Sequence, residues 1–484
     1  MAERVTPIFR KVTEQEAPLH EKAATIAETY AAFANRSSFE TLPDSTRERA
    51  KLLMLDAIGI AFASTQYDFA HRTLSGLRAL SDPTEGNAGT VIGISPGLPW
   101  RDAIVANGVL VHGLDFDDTH VEGVVHATAS ALPCALGLAS RFDLDGRALL
   151  LGYVVAVEIA CRLGTAAKGG FHKAGFHPTG LLGAYSCAVG AGTLLGLTEA
   201  QLAHAQGIAL SLGAGTLEFL EDGAWTKRLH PGWAALSGIT AATLAKNGFE
   251  GARQAYEGRH GLYRAHLGAL FEGCDLTLAT AGLSTIWQTE AVAVKPLPAC
   301  HLTHAAADAA MILSRTHDLA ADRIARVEVI VPREIVPVVC EPAAQKKRPT
   351  SPYEAQFSIP YIVAAALIRQ RFTLADIEPA AIADTAVQAL AERVCYSIDP
   401  NSPYPKYFSG EVVVTLTDGR TLRHREQMNR GCAERPLSAT EIEAKFHANA
   451  TRAISSARAE RIRSLVLGLD DGVSARHLSA GLAG

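Results

Sequence analysis

The chain has 484 residues, 48% of them hydrophobic and 20% charged. That is enough for two or three domains with a substantial core, and it excludes disorder as the main theme. Fifty acidic against 45 basic residues give a formal net charge of −5, so the overall electrostatics argue against nucleic acid or an anionic membrane as partner. Eight cysteines stand singly with no C-x-x-C pair, the usage expected of reduced, mostly buried thiols in a cytoplasmic protein.

In chain order, the first 31 residues mix Arg4, Arg10, Lys11, Glu14, Glu16 and Glu21 with no apolar core for an export signal. Ser45 followed by Glu48 reads as a capping box ahead of the apolar run Leu52, Leu53, Leu55, Ile58, Ile60. Helical segments rich in Ala and Gly are predicted over residues 103–114, 129–140, 148–163, 181–195, 199–212 and 231–246. The uncharged stretch 174–198 is long enough to cross a bilayer, but His177, Pro178 and its glycines favour a buried helix packed through small residues.

After about residue 286 the texture changes. Residues 326–331 (R-V-E-V-I-V) read as a strand closed by Pro332, and residues 411–423 as two strands joined at Asp418-Gly419. Helices are predicted among them at 305–315, 359–369 and 383–393, and the proline-rich stretch 400–407 reads as a surface loop. Ser438 and Glu441 form another capping box before a closing helical region. The chain is therefore expected to be mainly α: a large helical domain over residues 1–285, an α+β lid domain over 286–432, and C-terminal helices over 433–484 that rejoin the helical domain.

Two motifs mislead. Gly93-Ile94-Ser95-Pro96-Gly97 matches a hydrolase G-x-S-x-G elbow, but the residue after the serine is proline and has no N–H for an oxyanion hole. Gly190-Ala191-Gly192 follows a helical pattern rather than a strand, which excludes a dinucleotide fingerprint.

The densest polar cluster is H-G-L-D-F-D-D-T-H over residues 112–120, followed by His126: three aspartates and three histidines within fifteen residues, bordered by apolar helices. Such groups are costly to bury unless paired or used. A divalent metal is the alternative reading, yet the spacing matches neither H-E-x-x-H nor an EF-hand loop, and no metal is expected. Asp117 or Asp118 could each cap a helix start.

Three further polar islands interrupt apolar surroundings: residues 175–180 with His177 before a helix start, 225–232 with Lys227, Arg228 and His230, and 294–304 with Lys295, Cys300, His301 and His304. Together they describe a cation-rich site in a net acidic protein. Cations at helix starts can fix two or three carboxylates while a histidine or tyrosine moves the proton on an adjacent carbon. A small polycarboxylate substrate and a lyase or isomerase reaction follow.

The segments H-G-L-D-F-D-D-T (112–119), H-P-T-G (177–180), K-R-L-H-P-G (227–232), K-P-L-P-A-C (295–300) and F-S-I-P-Y (357–361), in that order, resemble the MmgE/PrpD family, which includes 2-methylcitrate dehydratase, cis-aconitate decarboxylase and iminodisuccinate epimerase. The resemblance implies a helical domain with an inserted lid, a homodimer, and a site between the two that uses no cofactor or metal. It implies catalytic roles for Asp115, His126, His177, Lys227, Lys295 and Tyr361. Thr119, His230 and His301 would contact substrate, and Lys295 and Tyr361 would come from the lid.

The chain departs from the family pattern at Ala127, where many members carry proline after the histidine matched to His126. It also departs at Cys300, where decarboxylases of the cis-aconitate type carry histidine; this departure points away from decarboxylation. The expected activity is a cofactor-independent hydro-lyase on a 2-methylcitrate-like polycarboxylate. Epimerisation of a dicarboxylate, decarboxylation and non-catalytic carboxylate binding are the alternatives.

Overall fold

The computed structural model describes residues 23–81, 89–317, 319–404 and 406–484. The N-terminal stretch read for an export signal, through residue 22, and Pro405 of the expected surface loop lie outside them. The fold is mainly α, with two small sheets among the described residues.

Helices dominate the first half. They include α1 (Asp44–Ser64), α2 (Trp100–His112), α3 (Ala127–Arg141), α4 (Gly146–Ala166), α5 (Pro178–Leu194) and α6 (Thr226–Lys246). Their interiors are mostly Ala, Gly, Val and Leu, so whole helices are buried rather than one stripe of each. In α5 every residue from Pro178 to Gly192 is buried. The uncharged stretch is thus a packed core helix. α4 is long and apolar enough to cross a membrane by length and composition, and here its most apolar window is 83% buried inside the protein.

Small residues set how closely these helices approach. Where α2 crosses α6, a Cβ added at Gly108 would lie 2.3 Å from the Gly232 Cα, and one at Gly232 would lie 2.3 Å from the Val105 carbonyl oxygen. Backbone therefore meets backbone at this crossing, and it brings the first turn of α6 beside the end of α2.

Two local readings are corrected. Ser45 does not cap α1; the helix already begins at Asp44, and the Ser45 hydroxyl donates to Glu290 Oε1 instead, at 2.7 Å. α6 begins at Thr226, a turn earlier than the expected start at residue 231, with Pro231 inside it. Pro231 is the sixth residue of α6, where it forgoes the hydrogen bond that an N–H would give to the Lys227 carbonyl, yet the helix continues through it, so Lys227, Arg228 and His230 ride on the helix rather than on a preceding loop.

Residues Gly89–Val91 (β1) and Ile94–Leu98 (β2) form an antiparallel hairpin that contains the false elbow Gly93 to Gly97. The second sheet has the order β4-β3-β5-β6, built from β3 (Ile324–Val331), β4 (Val394–Ile398), β5 (Gly410–Leu416) and β6 (Thr421–Glu426). β3 is central, parallel to β4 and antiparallel to β5, with Val327 opposite both Val394 and Val414. Gly419 turns the β5–β6 hairpin at φ +84°, as the Asp-Gly dipeptide predicts. Sequence reasoning missed β4. Helices α7 (His304–His317) and α8 (Ile359–Arg369) accompany this sheet.

The tail folds back on the first half. In α9 (Ala439–Ala450), capped by the Ser438–Glu441 box, Lys445 Nζ lies 2.9 Å from Asp56 Oδ2 on α1 and 2.9 Å from the Phe116 carbonyl. One apolar cluster runs from α1 through the sheet region to Leu482, and a second lies among α4, α5, α6 and the helix Ile26–Arg36.

Candidate active site

Three helix N-termini converge on one buried region. His126 and His177 occupy the cap positions of α3 and α5, and Lys227 sits in the first turn of α6. Helix N-termini present partial positive charge, so the backbone adds to the cationic side chains gathered here.

Asp115 is the hub. Its Oδ1 accepts from Lys227 Nζ at 2.6 Å and from Lys295 Nζ at 3.2 Å, and its carbonyl accepts from Lys295 at 2.9 Å. Burial alone would raise the Asp115 carboxyl, but the two ammonium groups outweigh it and hold the pKa well below the usual carboxylate range. Asp115 has φ +50°, a left-handed conformation that is uncommon outside glycine and clusters at functional sites. Lys295 is positioned by a two-hydrogen-bond bridge between Thr119 and Ala293, each bond 2.8 Å long.

Behind Asp115 lies a group of imidazoles. His112 Nδ1 is 2.8 Å from Asp117 Oδ2, and its Nε2 is buried with no hydrogen-bond partner. The His112 ring sits 4.9 Å from that of His126 and 5.4 Å from that of His177. His126 Nδ1 lies 2.7 Å from the Asp118 carbonyl and 3.2 Å from Thr119 Oγ1. A carbonyl only accepts, so Nδ1 carries the proton and Nε2 holds the lone pair. The His126 backbone N–H donates to Thr179 Oγ1 at 3.0 Å, joining the first motif to the H-P-T-G motif. His177 Nδ1 is 3.0 Å from His230 Nδ1, and its Nε2 is buried and unpartnered. Gly180 permits this pairing, since a Cβ there would lie 2.8 Å from the His230 Cβ.

His126, His177 and His230 are held neutral. Burial pushes the pKa of His126 down to about 3 and that of His230 to about 4, and takes His177 well below the usual histidine value with help from its cationic neighbours. Burial would raise the Asp117 carboxyl, but His112 and His126 hold it low. Among the described residues the Asp118 carboxyl pairs with no imidazole. Burial, reinforced by Asp117, raises it to about 7, and its Oδ1 accepts from the Thr128 N–H at the start of α3, so one aspartate of the cluster does cap a helix. His120 is a satisfied core histidine between the Gly123 N–H and Gln288. His112, Asp117 and His126 bring ligand-type atoms within 4.8 Å of one another, a set that could hold a cation, although here the ring-to-carboxylate hydrogen bond occupies their shared edge.

The segment Pro352–Gln356, capped by Ser351, closes over the cluster. Gln356 Nε2 donates to the Leu114 carbonyl and, at 3.2 Å, to that of Pro298. A narrow cleft remains, lined by His112, Asp115, Lys227, Arg228, Tyr353 and Gln356. Cys300 is buried close by; burial, with Asp115 adding to it, raises its thiol to about 11, so it is a neutral thiol.

Of the nine residues singled out in the sequence, Asp115, Thr119, His126, His177, Lys227, His230 and Lys295 form this connected cluster. Two do not join it through hydrogen bonds. The Tyr361 hydroxyl donates instead to the carbonyls of Asp376 at 2.5 Å and Ala381 at 3.1 Å, because α8 turns this side chain into the core beside the sheet. His301 Nε2 accepts from Asn429 at 2.8 Å, and its ring packs on His304 and Phe408. Sequence reasoning missed Tyr353 as a cleft residue and His112 as the ring joining the two histidine groups. The S-P-Y-E stretch just upstream of F-S-I-P-Y was the available signal for Tyr353.

A buried cleft lined by cations and imidazoles thus lies where the helical body meets the α+β portion. The MmgE/PrpD N-terminal domain model matches residues 28–272 and the MmgE/PrpD C-terminal domain model residues 297–471; the chain belongs to the MmgE/PrpD family. It is 30% identical over 458 residues to cis-aconitate decarboxylase of Homo sapiens, covering 92% of each chain, and 28% identical to that of Mus musculus. It is also 25% identical over 402 residues to 2-methylcitrate dehydratase of Salmonella typhimurium, covering 79% of this chain and 81% of that one.

Proposed function

We propose that the protein is a lyase acting on a small polycarboxylate through a carbanion formed next to a carboxylate, with loss of water from a 2-methylcitrate-like hydroxy acid as its reaction. The observation that carries this reading is the double ammonium clamp on Asp115 beside neutral imidazoles with bare nitrogens. Lys227 and Lys295 already hold one carboxylate oxygen, and a substrate carboxylate entering beside it meets the same two cations. His126 Nε2, its lone pair fixed by the Asp118 carbonyl, takes the α-proton. The electron pair moves onto the carboxylate as an enediolate that the ammonium groups stabilise. It returns to expel hydroxide, which leaves as water by taking the proton that His126 has just gained, while neutral His177, paired with His230, lines the site as a polar contact.

A carboxy-lyase is the second reading, favoured by the decarboxylases that match 92% of the chain. The same cations would hold the carbanion left by carbon dioxide until it is protonated. We also propose that the protein works as a homodimer. The exposed Leu229 and Trp233 of α6, with Trp225 and Leu220 nearby, form an apolar patch that suits a second copy.

Incubating the protein with 2-methylcitrate, citrate and cis-aconitate in deuterated water separates the readings by NMR. Loss of water from a hydroxy acid is the expected result. Carbon dioxide release from cis-aconitate moves the assignment to the second reading, and a folded protein inert to all three overturns both.

A further inference from the structure

The cleft contains a guanidinium without an anion. Arg228 Nε donates to the Gly113 carbonyl at 2.8 Å, which fixes the side chain, while Nη1 is buried with no hydrogen-bond partner. Among the described residues no carboxylate lies within 4.0 Å of it. Its charge is instead held by rings, with the guanidinium carbon 4.5 Å from the Phe69 centroid and 5.8 Å from those of Trp225 and Tyr353.

Stacking on rings orients a guanidinium but does not neutralise it. Burial correspondingly pulls the Arg228 pKa down, with Asp115 countering only in part. The Tyr353 hydroxyl on the same cleft is also buried and unpartnered, and burial pushes its pKa up, so it stays a phenol and a donor. Two unsatisfied donors, one charged, thus share a wall of the cleft that Lys227 and Lys295 do not use, because both lysines turn toward Asp115. Buried donors left unmade are costly, and a planar guanidinium fork with a phenol beside it matches a carboxylate.

We infer that Arg228 and Tyr353 form a separate carboxylate subsite, so that the cleft takes a tricarboxylate in preference to a dicarboxylate. This rests on the polycarboxylate reading above and adds to it the two residues that recognise the additional carboxylate. Lys227 and Lys295 hold the carboxylate at the reacting carbon, and Arg228 with Tyr353 anchors one farther along the molecule.

Calorimetric binding of propane-1,2,3-tricarboxylate and of glutarate tests it. Neither probe has a hydroxyl to lose or an alkene, so binding is measured apart from chemistry. The wild type is expected to bind the tricarboxylate at least tenfold more tightly than glutarate. That ratio should fall toward one in Arg228→Gln and in Tyr353→Phe, with Arg228→Lys intermediate. Tyr353→Phe keeps the ring that packs on Phe357 at 4.8 Å, so it remains a fair test if Arg228→Gln fails to fold. No preference in the wild type, or an unchanged ratio in the folded variants, overturns the subsite. A preference that depends on Arg228 in a protein inert to every polycarboxylate would instead sink the lyase reading and leave the subsite standing.

Discussion

Lys227 Nζ and Asp115 Oδ1 stand 2.6 Å apart, both buried, and they join the first turn of α6 to the end of the H-G-L-D segment. Lys295 shares the same oxygen. One anionic group therefore balances two cations, and the two substitutions that break the pair differ in effect. Lys227→Ala leaves Asp115 paired with Lys295, so the fold should persist while turnover drops at least a hundredfold. Asp115→Asn strands two buried ammonium groups and should cost about 3–5 kcal/mol, the range for breaking a buried pair. Urea unfolding of both variants beside steady-state turnover checks this. A Lys227→Ala enzyme of near-normal activity would remove the clamp from the reaction.

Tyr361 was expected to serve as an acid or carboxylate donor, yet its hydroxyl is spent on the carbonyls of Asp376 and Ala381. Tyr361→Phe should accordingly lower stability by about 1–3 kcal/mol, the cost of buried acceptors left without a donor. KM and kcat should stay within about twofold of wild type. A large loss of kcat with unchanged stability would return Tyr361 to the site.

That case shows what the sequence discloses and what it does not. Motif order placed Asp115, His177, Lys227 and Lys295 together because each stands at a helix start or a chain crossing where polar residues interrupt apolar surroundings. Tyr361 and Tyr353 are eight residues apart on either side of a helix break, and only the direction of α8 decides which phenol reaches the cleft. The start of α6 was misplaced because Pro231 reads as a boundary, whereas the helix runs through it and forgoes one backbone hydrogen bond there. β4, five residues long, alternates the strand formers Val394, Tyr396 and Ile398, a signal that was overlooked because it follows directly on the helix expected through residue 393.

Asp118 offers a pH test with a definite sign. Its folded pKa of about 7 lies above the value of about 3.9 in an unfolded chain. Between those values the folded state holds the extra proton, so this contribution is complete below about pH 4, drains as pH rises, and is gone above about pH 7. His126 and His230, with folded pKa values of about 3 and about 4, act in the opposite sense. Their contribution is complete above about pH 6.5 and is lost as pH falls toward those values. The wild-type profile mixes both trends, whereas its difference from Asp118→Asn isolates the carboxyl. The advantage of Asp118→Asn should grow between pH 5 and 7, by up to about 1.4 kcal/mol per pH unit, and level off by pH 8. A difference that stays flat from pH 5 to 8 would show that Asp118 is ionised throughout.

The crossing of α2 and α6 links packing to chemistry more directly. A Cβ at Gly232 would meet the Val105 carbonyl oxygen at 2.3 Å, and backbone cannot rotate aside as a side chain can. Gly232→Ala should push the helices apart at a cost of about 1–3 kcal/mol, as other overpacked sites do. It should also shift Lys227, five residues earlier on α6, away from Asp115. Turnover should therefore fall by more than the loss of folded protein explains, with a raised KM for the substrate. Gly248→Ala is the control for the loss of a glycine as such: it follows the same helix, has φ +87° and meets nothing within 4 Å. That variant should lose stability through backbone strain while the folded fraction keeps wild-type kinetics. Equal kinetic effects in the two variants would mean that close approach at the crossing does not position Lys227.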